Sequence, residues 1–300
     1  MKNIEILNMP FGRLKIHRKK SELCRNVLAD ADYKSKFSDC EYNVYIGYDF
    51  DNVDKTYRAV QMQKGLYLGH NIGKPCKLHI EKNNLYLYMN ESKDYEKVFW
   101  SFAIKYILTA VGLEKEVLHI KGLLLRSPKG KMYLLLGKGQ SGKTTLGKEL
   151  EKKGYKIVSN THCFVKGNYV WGINSWVRVR NTDGQEYVIP EKCNLFLDGE
   201  IEKSYVIDWN NQAQIKRYDN INMEEKYLYL KNFVAAICNY DLKEEVWDYM
   251  SQDEQLKGQI GCFHKEDVLV REFASHSIEF ISIDAKNEEC LNEFIDMMEA

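Results

Sequence analysis

The stretch Tyr133-Leu-Leu-Leu-Gly137-Lys138-Gly139-Gln140-Ser141-Gly142-Lys143-Thr144-Thr145-Leu146 reads as an apolar strand, a G-x-x-x-x-G-K-T loop and the first turn of a helix. Glycines at both ends let backbone N–H groups curl around phosphate oxygens. Lys143 can reach the β and γ phosphates, and the Thr144 hydroxyl is placed to ligate Mg2+. The ligand class implied is a nucleotide. Its phosphates fall to Gly137, Lys138, Gly139, Gln140, Ser141, Gly142, Lys143, Thr144 and Thr145. Strand, loop and helix in that order imply an α/β fold.

Outward from this stretch, the segment Val117 to Leu125 and a turn with Pro128 and Gly130 precede the strand, so the loop ends the second strand of a hairpin. Downstream, Leu146 and Leu150 share a helix face, Gly154 is a natural C′ residue, and Tyr155-Lys-Ile-Val158 is the next strand. Strands dominate again at Phe164-Val165, Tyr169 to Trp171, Trp176 to Val179, Glu186 to Ile189 and Tyr205 to Asp208. The tail returns to α/β, with helices around Glu224 to Ala236 and Asp267 to Ala274, a strand Ile278 to Ile283, and a closing helix Glu288 to Met298.

The first ninety or so residues are different in texture. Period-two segments at Asn43 to Tyr48, Tyr57 to Met62, Leu66 to Leu68, and Cys76 to Ile80 turning through Glu81 to Asn84 into Leu85 to Met89 describe a β-rich lobe over residues 1–93. From Asp94, a plausible N-cap, Val98, Phe99, Phe102, Tyr106, Ile107 and Ala110 recur at helical spacing as far as Gly112, opening a nucleotide-binding domain over 94–300.

Three hundred residues supply ample length for a core, and four prolines with no Ser/Gly-rich linker leave no obvious hinge. Lys+Arg 43 against Asp+Glu 43 gives a formal charge of zero, so no global field draws the chain to nucleic acid or to an anionic membrane. Eight cysteines are scattered without a C-x-x-C pair or zinc spacing, and read as reduced thiols of a cytoplasmic protein. The N-terminus lacks the apolar core of a signal peptide, and the longest apolar segment, near 98–111, is interrupted by Lys105. Most of the 37 aromatics (Tyr 20, Phe 12, Trp 5) alternate within strands, as sheet packing requires, rather than forming base-stacking platforms.

Leu118-His119, a hairpin, the loop, a short helix, Lys153-Gly154-Tyr155 and a strand follow in close succession. This order resembles the HPr kinase/phosphorylase superfamily, and more closely its smaller, divergent serine-kinase-like relatives. The match is good from 118 to about 180, extends to the C-terminus and is weak before residue 90. The resemblance implies a P-loop kinase core of the HPr kinase/PEP carboxykinase-like type, with ATP and Mg2+ as cofactors. The acceptor it implies is a serine hydroxyl of a peptide or protein, or a small hydroxyl metabolite. Family members are hexameric, but the phosphorylase-specific basic segment is not recognisable here. The hexamer and the reverse reaction are therefore not carried over, and a homo-oligomer stays open.

One position departs from the family. Its strand ends in Asp-Asp, whereas Ile157-Val158-Ser159 here leads to Asn160-Thr161 and His162. Asn160 cannot act as an anionic base, although its amide oxygen can orient a hydroxyl or a metal-bound water. Side chains two apart on a strand share a face, so His162 points to the same side as Asn160 and substitutes as base, the alternative being a packed strand histidine. His119 matches the family's Leu-His position, where it orients substrate; outside the family it would be a core residue. Arg178 and Arg180, two apart on a strand, can grip a donor phosphate or form surface ion pairs. For a second Mg2+ contact the chain offers Glu186, Asp198, Glu200 and Asp208, none singled out by spacing. No apolar strand ends in a Walker B Asp-Glu pair and no N-K-x-D motif is present, which disfavours a switching hydrolase. A hydroxyl kinase leads these readings, followed by a nucleotide-binding accessory or regulatory protein that has lost transfer.

Overall fold

The computed structural model describes residues 3–9, 11–18, 41–47, 59–62, 65–68, 76–81, 83–89, 104–173, 177–181, 184–188, 196–212, 214–231, 233 and 256–300. Over these residues the chain is a mixed α/β protein, with mostly antiparallel strand pairs and few helices. Two compact units emerge. One comprises Met1–Lys115, Ser175–Phe196 and Ala236–His264, the other Glu116–Asn174, Leu197–Ala235 and Lys265–Ala300.

The first unit carries a seven-stranded sheet of β1 (Asn3–Met9), β2 (Gly12–Arg18), β3 (Glu41–Gly47), β4 (Ala59–Met62), β5 (Gly65–Leu68), β6 (Cys76–Glu81) and β7 (Asn84–Met89), in the order β1-β2-β3-β7-β6-β5-β4. Glu81 opposite Asn84 closes β6 on β7 through the expected turn. The β1–β2 hairpin is an addition to the strands legible in sequence. Met9 pairs with Gly12 across its turn, and Phe11, Leu14 and Ile16 are buried between charged neighbours. The helix α1 (Ile104–Glu114) runs two residues past Gly112. Its expected start at Asp94, with Val98, Phe99 and Phe102, lies outside the described residues, as does the boundary between 93 and 94.

The second unit opens with β8 (Leu118–Lys121), β9 (Leu123–Arg126), β10 (Met132–Leu136), α2 (Lys143–Lys152), β11 (Lys156–Ser159), β12 (His162–Lys166) and β13 (Tyr169–Ile173). The hairpin β14 (Val177–Asn181) and β15 (Gly184–Val188) is grouped with the first unit. Then come β16 (Phe196–Trp209), β17 (Lys216–Arg217), α3 (Met223–Lys231), α4 (Leu256–Ala274), β18 (Ile278–Ile283) and α5 (Glu288–Glu299). Sheet order is β11-β9-β10-β16-β13-β12-β8, with β18 also on β16 and β17 on β18. The segment Val117 to Leu125, read as one run, is two strands parted at Gly122: β8 pairs with β12, and β9 with β10 and β11.

Burial explains the leucine runs. Leu123, Leu125, Tyr133 and Leu135 pack in one cluster with Leu146 and Leu150 of α2, Tyr205 and Ile207 of β16, Ile281 and Ile283 of β18, and Leu291, Phe294 and Met298 of α5. The alternate residues Leu124 and Leu134 are wholly buried too. A strand covered on both faces needs no polar alternation, and each such side chain contributes about 1.5–3 kcal/mol on burial. The C-terminal end of α2 matches its sequence signal. Gly154 N donates to Glu151 O and Tyr155 N to Leu150 O, stopping α2 where Gly154 takes a left-handed φ of 91°. Asn287 caps α5 by accepting from Cys290 N at 3.1 Å. Among the described residues no helix is long and apolar enough to cross a membrane.

Candidate functional site

The loop from Gly137 to Thr145 leaves the C-terminal end of β10 and enters α2. Gly142 caps the helix with φ 85° and Gln140 adds a second left-handed residue at φ 69°. Gly137 is required sterically: at its φ of 154°, a Cβ would lie 2.5 Å from both Ile207 O and Ser141 Oγ. The first turn of α2 holds no acidic residue and begins with Lys143. The positive end of the helix dipole and a lysine therefore meet at one place, an arrangement that favours an anion.

Lys143 is bound inward. Its Nζ donates to Gly137 O at 2.6 Å, Lys138 O at 2.7 Å and Ser141 Oγ at 3.1 Å. Burial lowers its pKa to about 8, against the opposing field of Asp208. The ammonium thus sits desolvated inside a ring of loop oxygens, where an anion gains more from it than in bulk water. Ser141 is buried and Thr144 exposed. Lys138 is exposed and lies 5.4 Å from the ring centre of Tyr229 on α3, a cation–π contact of about 0.5–1 kcal/mol.

Registers show what flanks the loop. On one side β16 runs parallel to β10 as far as the pair Leu136↔Val206, so Ile207, Asp208 and Trp209 continue alongside the loop. Trp209 Cδ1 lies 3.6 Å from where a Gly142 Cβ would stand. Asp208 is exposed, and its Oδ1 accepts from Trp209 N at 2.9 Å. On the other side Leu123 pairs with Leu135 and Leu124 with Ser159, which brings the end of β11, and with it Asn160, to the same end of the sheet.

His119 and His162 come together there: His119 Nε2 and His162 Nδ1 are 2.9 Å apart. His119 is buried and stacked on Phe164 at 4.4 Å between ring centres, while His162 is half-buried. With one hydrogen between the two nitrogens, the tautomer of one ring fixes that of the other. Contrary to the alternation expected of one strand, Asn160 and His162 do not belong to a single strand. Asn160 and Thr161 form a bend between β11 and β12, held by Ser159 Oγ donating to His162 O at 2.7 Å, so alternation does not run through 160 to 162. His162 begins a new strand opposite Lys121, and Gly122 N donates to Thr161 O at 2.9 Å.

Arg178 and Arg180 occupy alternate positions of β14, and Glu186 lies on β15, all in the first unit. Asp198 and Glu200 lie in the first part of β16, where Ile201 pairs with Met132 at the end of β10 remote from the loop. Asp198 accepts from the Tyr169 hydroxyl. Of the three carboxylates in the second unit only Asp208 flanks the loop. Its signal in sequence is an apolar run, Tyr205-Val-Ile, ending on a single aspartate, weaker than the Asp-Glu pair for which such strands are usually searched. Among the described residues no group of three or more His, Cys, Asp or Glu side chains forms a metal cage. Cys163 and Cys290 are buried free thiols, and desolvation pushes Cys163 up to about 12.

No protein-family model matches the chain, and no curated protein matches it.

Proposed function

We propose that the chain is an ATP-dependent kinase that transfers a phosphoryl group to a hydroxyl, that of a serine in a peptide or protein or of a small metabolite. The observation carrying this reading is the Lys143 ammonium, desolvated within the loop oxygens at the N-terminus of α2. The HPr-kinase-like P-loop core read from sequence is part of the same proposal, supported by the order hairpin, loop, α2 and β11. The Gly137 and Gly142 backbone provides a cradle for phosphate, and the Thr144 hydroxyl is the hard oxygen donor that Mg2+ takes. When bound, Mg2+ supplies charge neutralisation on the phosphates. Lys143 would turn from Gly137 O and Lys138 O to the transferring group, balancing charge that builds on its oxygens.

The His119–His162 pair lies at the loop end of the sheet and is the proton acceptor for the hydroxyl in this reading. His162 receives the proton, and the buried His119 sets its tautomer. His162→Ala is expected to slow transfer by roughly 10²-fold. His119→Ala should lower kcat with little change in KM for nucleotide, and Asn160→Ala should change less than either. Equal, near-normal kcat for all three in a steady-state assay would remove the pair from the mechanism.

Lys143 also sets a pH dependence. Its pKa in the free protein is lowered to about 8 and an anion bound beside it raises that value, so binding takes up a proton once pH exceeds about 8. Affinity for ATP should be flat below pH 8 and fall by up to tenfold per pH unit above it, whereas Lys143→Arg should stay flat to pH 10. Isothermal titration across pH 6.5–10 reads this directly.

The direct test of transfer is labelled γ-phosphate from ATP offered to peptide libraries and hydroxyl metabolites. Label on an acceptor supports the kinase. Tight ATP binding with no transfer to any acceptor would favour the second reading, a nucleotide-binding regulator, which the replacement of an expected aspartate by Asn160 motivates.

A further inference from the structure

We propose that the indole of Trp209 is the platform on which the base of the bound nucleotide stacks, so that the site holds a nucleotide by its ring as well as by its phosphates. The proposal rests on the nucleotide-binding reading above and deepens it.

Position carries the assignment. Trp209 is the last residue of β16 and is held in the sheet by its pairing with Ile283 of β18. Strand alternation puts Tyr205, Ile207 and Trp209 on one face, and Tyr205 and Ile207 are buried there in the cluster that contains Leu146 of α2 and Phe294 of α5. Trp209 continues that face past the end of the core. Its Cδ1, Cβ and Cγ atoms lie 3.6, 3.8 and 4.0 Å from where a Gly142 Cβ would stand, yet the residue is 56% exposed. One side of the indole therefore rests on the N-cap of α2, beside the phosphate loop, and the remainder faces solvent. Tyr229 also reaches the loop, but its ring is half-buried, packs edge-on against Phe233 and Phe280 and has Lys138 over it.

The direction of the nucleotide across the loop follows from its two flanks. The loop strand β10 lies between β9 and β16. On the β9 flank Gly122 leads back into β8 and its N–H donates to Thr161 O, so the His119–His162 pair, the proton acceptor in the reading above, stands on that side. Transfer needs the γ phosphate turned toward that pair. A triphosphate laid so sends its α phosphate and nucleoside the other way, to the end of β16, one strand spacing from β10 or about 4.8 Å. The indole is there. The chemistry also fits: every base has a π face, and stacking on an aromatic ring demands no particular hydrogen-bonding edge. Purines present more face than pyrimidines, so the chain should prefer ATP and GTP to CTP and UTP, and Trp209→Ala should narrow that preference.

ATP and inorganic tripolyphosphate separate this role from a structural one, because they share the phosphate chain and differ in the nucleoside. In titration calorimetry with Mg2+, Trp209→Ala should weaken ATP by about tenfold, the scale of one lost base–ring stack, and leave tripolyphosphate unchanged. Trp209→Phe should recover most of the loss. Fluorescence gives a second readout: ATP should quench indole emission in the unsubstituted chain, and the quench should vanish in Trp209→Phe although ATP still binds. Unchanged ATP affinity in Trp209→Ala, or equal weakening of both probes, overturns the stacking assignment while leaving the phosphate loop standing. No binding of either probe by the unsubstituted chain overturns the nucleotide reading, and the assignment with it.

Discussion

Lys143→Ala is expected to abolish measurable phosphoryl transfer and to weaken ATP binding by roughly tenfold to more than a hundredfold, the scale of one lost hydrogen bond to a charged group at about 1.5–3 kcal/mol. The ammonium is already desolvated, so its removal leaves Gly137 O, Lys138 O and Ser141 Oγ facing an emptied centre and leaves transferring charge unopposed. Loss of a donor aimed at developing charge costs about 10²–10³ in kcat beyond the binding term. Fold stability should change little or rise, because the substitution removes a cation that pays desolvation without a buried counter-charge. Thermal melting alongside calorimetry separates the two. A wild-type affinity with wild-type melting would mean that Lys143 does not meet the nucleotide.

Gly137→Ala is the second large effect. The added methyl would stand 2.5 Å from the backbone oxygen of Ile207 and from Ser141 Oγ, at a φ of 154° that side chains rarely adopt. Ser141 can rotate, but Ile207 O belongs to the paired strand β16 and cannot retreat without breaking its ladder. Overpacking of this kind costs about 1–3 kcal/mol, with backbone strain of a similar size added. The chain should melt several degrees lower and lose ATP binding together. Gly139→Ala, where a Cβ meets nothing within 4 Å, is the matched control and should melt as wild type.

Local patterns in the sequence exposed much of the second unit. The loop, the α2 stop at Gly154, the strand Ile278–Ile283 and the final helix follow from glycine position, apolar periodicity and capping, which act over a few residues. What escaped were arrangements fixed by pairing across distance. Glu5, Arg13 and Lys15 break up the apolar pattern of the β1–β2 hairpin, and Gly122 divides a run of apolar residues between two partners. Asn160 and His162 looked like alternate positions of one strand because nothing local announces the bend that Ser159 stabilises. Asp208 was one carboxylate among four until the parallel register of β16 with β10 set it beside the loop, and the His119–His162 contact spans 43 residues.

Calorimetric titration of ATP with Mg2+ into the unsubstituted chain and Lys143→Ala at pH 7.5 tests the central claim, that the Gly137–Thr145 loop holds nucleotide phosphates around Lys143. Saturable binding of one nucleotide per chain, weakened at least tenfold by the substitution, is the expected result. No binding by the unsubstituted chain, or equal binding by both, would contradict it.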